Sequence, residues 1–369
     1  MIEVPGGNVA ALYAAVYDEN GMPRSHAEIT LEPGLYVLDP SKPFDGRLVL
    51  GERSILRSSF KMALDANGVP QVSESNEPIV LHAGAKIDGS NLAAAAFGEG
   101  IIVVGDRGLV EQLWVYGGLR PGVEITSTGT ARQVASTGHS AGFRVRAAGQ
   151  KAQATLEANL AAGNMSYGIG VIALDPDLVH PTHGSVDVRA TLQRNASLNN
   201  GIVNLFVNGG IGTDGSKVSV EATHNVFRGS ASVANVRAIG GFDFQAHGSA
   251  NHNRVTLILD DNLVADGPVG IRVEGGTLNT GFLSNPSLPL AERQSSNNAV
   301  EVNISNVTFH NNIADIVAYG ALASLDESGG NHNTVKVIIQ PNTPQLTIAV
   351  FDCFPPENFP NCTSTVTLR

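Results

Sequence analysis

From about residue 150 to residue 342 the chain repeats one phrase, an alternating apolar and polar run closed by an asparagine. The copies are Ala154–Asn159, Ala190–Asn195, Val220–Asn225, Leu257–Asn262, Val302–Asn306 and Val337–Asn342. Their asparagines step by 36, 30, 37, 44 and 36 residues, and a second apolar stretch follows each, as in Gly201-Ile202-Val203-Asn204-Leu205 and Gly270-Ile271-Arg272-Val273. A strand this short cannot cover its apolar face alone, whereas stacked copies share a continuous core. Strand, asparagine turn, strand, loop therefore reads as one coil of a solenoid, with loops of different length making the period uneven. Asparagine suits the turn because it tolerates the left-handed backbone region, and amides stacked every ~4.8 Å satisfy one another. Asn159, Asn195, Asn225, Asn262, Asn306 and Asn342 are expected to form one structural column.

A solenoid has an open end to hide. Asn8 can cap a helix over Val9–Tyr17, whose Val9, Leu12, Tyr13 and Val16 make one apolar stripe to lay across the first coil. Two strands broken at Pro33-Gly34 follow, in the segment Ala27–Leu38. The expected organisation is one domain over 1–369, with 1–40 as cap and first strands, 41–340 as coils, and 341–369 as a last coil with a disulfide loop.

Charge narrows the partners. The net charge is −11 and the basic residues are scattered, so nucleic acid is excluded as a partner. No run reaches the ~18 apolar residues of a membrane span, and Met1-Ile2-Glu3-Val4-Pro5 has no signal-peptide character. Cys353 and Cys362 bracket a loop of a length suited to a local disulfide. Together these favour a secreted or cell-surface protein whose leader has been removed; the alternative is a cytoplasmic protein with two thiols.

The early helix followed by a strand and Glu32-Pro33-Gly34-Leu35-Tyr36 resembles the "PPGTY" opening of pectate-lyase-like right-handed parallel β-helix proteins. Ile87-Asp88-Gly89-Ser90-Asn91-Leu92 and Gly142-Phe143-Arg144-Val145-Arg146 resemble bacterial members with no assigned role. The resemblance implies an all-β, right-handed parallel β-helix with an N-terminal cap helix. It leaves the activity open, because that superfamily spans polysaccharide lyases, glycoside hydrolases, epimerases and phage tailspikes.

Paired aspartates and a Gly-His-Gly segment, typical of the hydrolase branch, are missing. Asp260 and Asp261 are chain neighbours in a strand and point to opposite faces, so they serve a turn better than a glycosidic bond. The long excursions, 175–184, 208–216, 240–253, 275–298 and 320–333, all follow the second strand and should stack into one wall beside a groove. Facing that wall, Asn204, Arg237 and Arg272 are expected at comparable outward positions, with Glu274 and Tyr319 two residues further on.

Two arginines on adjacent coils would lie about 5 Å apart and need a carboxylate between them. A uronate could supply it, held by the guanidinium fork, with His247 or Tyr319 as a proton-abstracting base. Alternatively Asp243 or Glu274 pairs with the arginines and nothing binds between them. The candidate catalytic set is therefore Arg237, Arg272, His247, Glu274 and Tyr319. Phe242, Phe244 and Phe282 fall in the wall loops, while Trp114 reads as core. Asp175, Asp177, His180 and His183 mix calcium-type and zinc-type ligands, so no metal is assigned, and no cofactor is implied. Asn251-His252-Asn253 and Asn331-His332-Asn333 recur just before a strand and read as turns.

Two functions remain in view: a secreted protein binding acidic polysaccharide through a groove, as a lyase or hydrolase, or a non-catalytic surface, adhesion or structural solenoid.

Overall fold

The computed structural model describes the chain except residues 95–98, 175–183, 245–249, 280–294, 324–331, 341–345 and 355–363. From Glu28 to Ala323 each coil contributes a strand to each of three parallel sheets. The first sheet runs in chain order from Ile2–Val4 to Thr365–Leu368, the second from Gly34–Val37 to Thr308–His310, and the third holds strands such as Val123's Pro121–Ile125, Tyr167–Leu174 and Val203–Ile211. The chain is thus an all-β parallel β-helix. The period-two runs are the first-sheet strands, where Lys151–Glu157 pairs in register with Asp187–Gln193, and that with Lys217–Thr223. Their inward residues, among them Leu156, Leu192 and Leu259, are buried in one core running the length of the rod.

The middle strand of each coil was not anticipated. Leu160–Ala162, Ala196–Leu198 and Val226–Arg228 follow the asparagine turns at once, and three residues are too few to carry a period.

The asparagine column exists but is shorter than expected. Asn159 Nδ2 donates to Asn195 Oδ1 at 3.0 Å, Asn195 to Asn225 at 2.9 Å, and Asn225 to Asn262 at 3.0 Å. In the next coil Leu263 pairs with Thr308, so buried Val307 takes the corner; Asn306 stands one place earlier, exposed, beside Asp261. The left-handed residue is also one place earlier than predicted: Ala158, Arg194, His224, Asp261 and Asn306 all have φ between 50° and 57°. The ladder asparagine itself supplies amides, not the turn. Asn342 lies outside the described residues. A second column, unanticipated as such, joins Asn253, Asn298 and Asn333 through backbone N–H donors at 2.9 Å, and His252 and His332, both with positive φ, are the turns before it.

The cap helix spans Val9–Val16, with Asn8 Oδ1 accepting from Ala11 N at 3.0 Å, and buries Leu12, Tyr13, Ala15 and Val16. It packs on strands of the first coil. Tyr36, of the Pro-Gly-Leu-Tyr segment, is buried with its hydroxyl among the carbonyls of Val4, Pro5 and Glu32.

Residues 59–84 form an excursion of antiparallel turns lying on the outside of the second sheet, where Phe60, Met62 and Val69 cover Ala135, Leu160, Ala162, Ala196 and Leu198. Trp114 belongs to this outer layer and not to the core: Phe60 lies against it, its Nε1 donates to Thr137 Oγ1 at 3.0 Å, and Lys86 Nζ sits 3.7 Å from its ring centroid. Cys353 lies on the strand Ile348–Phe354; Cys362 is outside the described residues. No helix among the described residues is long and apolar enough to cross a membrane.

Candidate functional site

The outer face of the third sheet departs from the alternation of the first. Inward residues such as Val123, Phe143, Ile169, Leu205, Val236 and Ile271 belong to the core, so the residue after each must point outward. Register then assembles one outward column across adjacent coils: Glu124, Arg144, Gly170, Phe206, Arg237, Arg272 and Val317. Glu124, Arg144, Gly170 and Val317 in this column are buried and Phe206, Arg237 and Arg272 half-buried.

Arg237 and Arg272 are neighbours in that column, as expected. Asn204 is not their equivalent: it is buried two residues before Phe206 and donates to Asn235 Oδ1 at 2.7 Å. The position expected for a substrate carboxylate is filled by Glu274. Its Oε2 accepts from Arg237 Nη2 at 2.8 Å and its Oε1 from Arg237 Nε at 2.9 Å; Arg272 Nε and Thr277 Oγ1 also donate to it. Burial alone would raise the Glu274 carboxyl, but the two guanidiniums outweigh it and hold the group down to about 2. Among the described residues, two guanidiniums against one carboxylate leave one excess positive charge.

Tyr319 is in register with Glu274, and its ring stacks on Phe351 at 5.3 Å with Arg272 over it at 5.2 Å. Burial raises its phenol above the ordinary range. His247, Phe282, Asp175, Asp177, His180 and His183 lie outside the described residues. Phe242 is buried, with Arg237 over its ring at 5.7 Å. Three of the excursions begin as strands, Phe242–Phe244, Thr277–Asn279 and the far half of Ala314–Ala323, which extend the third sheet. Residues 208–211 are likewise sheet and not loop.

A second arginine cluster was missed. Glu124, fully buried, accepts at Oε1 from Arg144 Nε at 2.9 Å and from Arg146 Nε, and at Oε2 from Gly100 N at 2.7 Å. Burial is again outweighed by Arg144 and Arg146, so its carboxyl is lowered. Arg47 pairs with Glu99, which lies 3.9 Å from Arg146, and Arg120 donates to the Glu99 carbonyl at 3.2 Å. Adding Asp45, which acts on Arg120, four guanidiniums face three carboxylates and again one positive charge is in excess. The signal was present in Gly142-Phe143-Arg144-Val145-Arg146, where alternation puts both arginines on one face.

Between the two clusters lies a cavity of about 590 Å³. Arg144 and Arg237 mark its ends, and Tyr167 and Phe206 form its floor, their rings 5.8 Å apart. The Tyr167 ring lies so close over Gly170 that a Cβ there would meet it at 2.4 Å, and its phenol is hydrogen-bonded to Arg144. One flank is Ile172, Leu174, Ile211 and Phe242; the other carries Ser140, Ser166 and Ser232. No group of three metal-ligating side chains occurs among the described residues.

No protein-family model matches the chain. No curated protein matches it either. Among solved structures the chain is similar to the A-module of a mannuronan C-5 epimerase from Azotobacter vinelandii, at 13% identity over 100% of this chain and 97% of that one, with a TM-score of 0.48.

Proposed function

We propose that the protein is a secreted or cell-surface rod of the pectate-lyase-like kind, one domain throughout, whose groove over the third sheet binds an anionic oligosaccharide. The observation that carries the reading is the pairing of an aromatic floor, Tyr167 and Phe206, with a net positive cluster at either end, in a chain whose overall charge is −11. Aromatic faces accept the apolar face of a sugar ring, and the flanking serines suit its hydroxyls. Local positive potential in an acidic protein selects anions. Binding is favoured over turnover because Glu274 already occupies the place between the arginines where a substrate carboxylate would be held, and no histidine, lysine or carboxylate lines the cavity among the described residues. Pairing of Cys353 with Cys362 belongs to the same reading, since an exported chain keeps disulfides.

Calorimetric titration of acidic and neutral oligosaccharides into the full chain tests this. Acidic ligands should bind, more weakly as salt rises, and Phe206→Ala, in a variant still folded by its circular dichroism spectrum, should weaken them. Binding that ignores Phe206→Ala, or no binding at all, overturns the reading. An unsaturated product from a polyuronate would reassign the protein as a lyase.

A further inference from the structure

The arginines of the outward column, Arg144, Arg237 and Arg272, differ in the donors they leave open. The Arg144 side chain, 2% exposed, is committed to Glu124 and to the Tyr167 phenol. Arg237, 13% exposed, uses Nε and Nη2 on the two oxygens of Glu274. Arg272, 22% exposed, meets Glu274 through Nε alone, and neither of its terminal nitrogens makes a hydrogen bond among the described residues. Every N–H on those two nitrogens is therefore open.

The guanidinium is also held in place. Glu274 fixes its Nε, and its carbon lies 5.2 Å from the Tyr319 ring centroid. A planar fork supported on an aromatic ring, with both terminal amino groups open, is preorganised to take a carboxylate bidentately.

The next coil brings Phe351 into register with Tyr319, stacked at 5.3 Å, and Phe354 packs against Tyr319 at 5.7 Å and Phe351 at 5.1 Å. Both phenylalanines are exposed, at 37% and 39%. A wholly apolar partner laid here would cover the open donors of Arg272 without satisfying them. An acidic sugar meets both demands, with the apolar face of its ring on aromatic carbon and its acid on the fork. The groove lies on the same face: from Phe206 the column steps through Arg237, Arg272 and Val317 to Ala349 in the coil of Phe351, about 19 Å at ~4.8 Å per coil.

Resting on the reading that the groove over this sheet binds an anionic oligosaccharide, we propose that Arg272 takes the ligand's acidic group, with that sugar ring against Phe351 and Phe354, and that the saccharide runs from there along the sheet to Phe206. Glu274 and Tyr319 are positioning residues for the guanidinium.

The test is equilibrium binding of the full chain to an oligouronate and to the same oligosaccharide with its carboxyls reduced to alcohols. Glu274 keeps Arg237 and Thr277 when Arg272 is replaced, so the variants should fold, as circular dichroism checks. Arg272→Gln should weaken the oligouronate by about ten-fold or more, the loss of a charge-assisted pair, and leave the reduced ligand within about two-fold. Arg272→Lys keeps the charge but not the fork, and should restore only part of the affinity. Undiminished oligouronate binding by folded Arg272→Gln overturns the inference, and equal losses for both ligands overturn it by making Arg272 a structural residue. If Arg272→Gln does not fold, Arg272→Lys decides, and full oligouronate affinity there overturns the inference. In each of these cases a loss caused by Phe206→Ala would leave the groove reading standing. An oligouronate that does not bind the parent chain overturns the groove reading and the inference together.

Discussion

Arg237 grips Glu274 with both Nε and Nη2, at 2.9 and 2.8 Å, across the boundary between two coils. The pair and Arg272 are thereby a stitch between coils as well as an end of the groove. Glu274→Gln would leave two largely buried guanidiniums facing no charge, and should destabilise the fold by about 3–5 kcal/mol. Urea unfolding measures this; a loss below about 1 kcal/mol would show that Glu274 is not the partner that matters.

The same group sets an acid limit. Its folded-state value, about 2, lies below its ordinary 4.5, so its contribution is complete above pH 4.5 and is lost as pH falls from there toward 2. Thermal stability followed between these limits should drop in the parent chain more steeply than in Glu274→Gln.

His139 acts at milder pH. It is fully buried, and desolvation holds its imidazole down to about 4 from 6.5, although its Nε2 donates to the Val115 carbonyl at 3.1 Å. The unfolded chain therefore binds the proton first, and stability should fall as pH drops from 6.5 toward 4, by about 3 kcal/mol if nothing else titrates. His139→Gln should flatten that part of the stability profile; an unchanged slope would assign it to other groups.

The ladder can be separated from the turn beside it. Asn225 accepts from Asn195 and donates to the carbonyls of Leu192 and Thr223 and to Asn262 Oδ1. Asn225→Ala should cost at least about 3 kcal/mol, because several buried groups lose their partner at once. Exposed Asn306, with φ 51°, should tolerate glycine within about 0.5 kcal/mol. Comparable losses at both sites would contradict the one-place offset between turn and ladder.

Cys353 offers a chemical check on export. The denatured, unreduced chain should show no thiol reactive toward an alkylating reagent, and two after reduction. Two reactive thiols before reduction would end the disulfide assignment.

The amide spacing made the coils legible, and with them the adjacency of Arg237 and Arg272, because a chain that repeats at a corner aligns everything downstream of it. Before Asn159 that corner holds Leu113 and Val134, which look like any other apolar residues, so the Glu124–Arg144–Arg146 cluster had no register to place it. The same dependence explains Asn306. It matched the phrase in letters, yet the coil is 45 residues long by its cross-coil bonds and not 44, and a slip of one moved it from core to solvent. Which carboxylate would answer the arginines was beyond pattern reading: Glu274 lies close to Arg272 in sequence but far from Arg237, and only side-chain geometry shows it bonded to both.

The corner after the first sheet is locked by amides, whereas the excursions after the third sheet carry much of the variation in coil length. Residues added there would deepen or reshape the face over the third sheet without shifting any column of the rod beneath it. Surface and scaffold can therefore change at different rates in descent, and a lineage could remodel that face while every coil stayed in register.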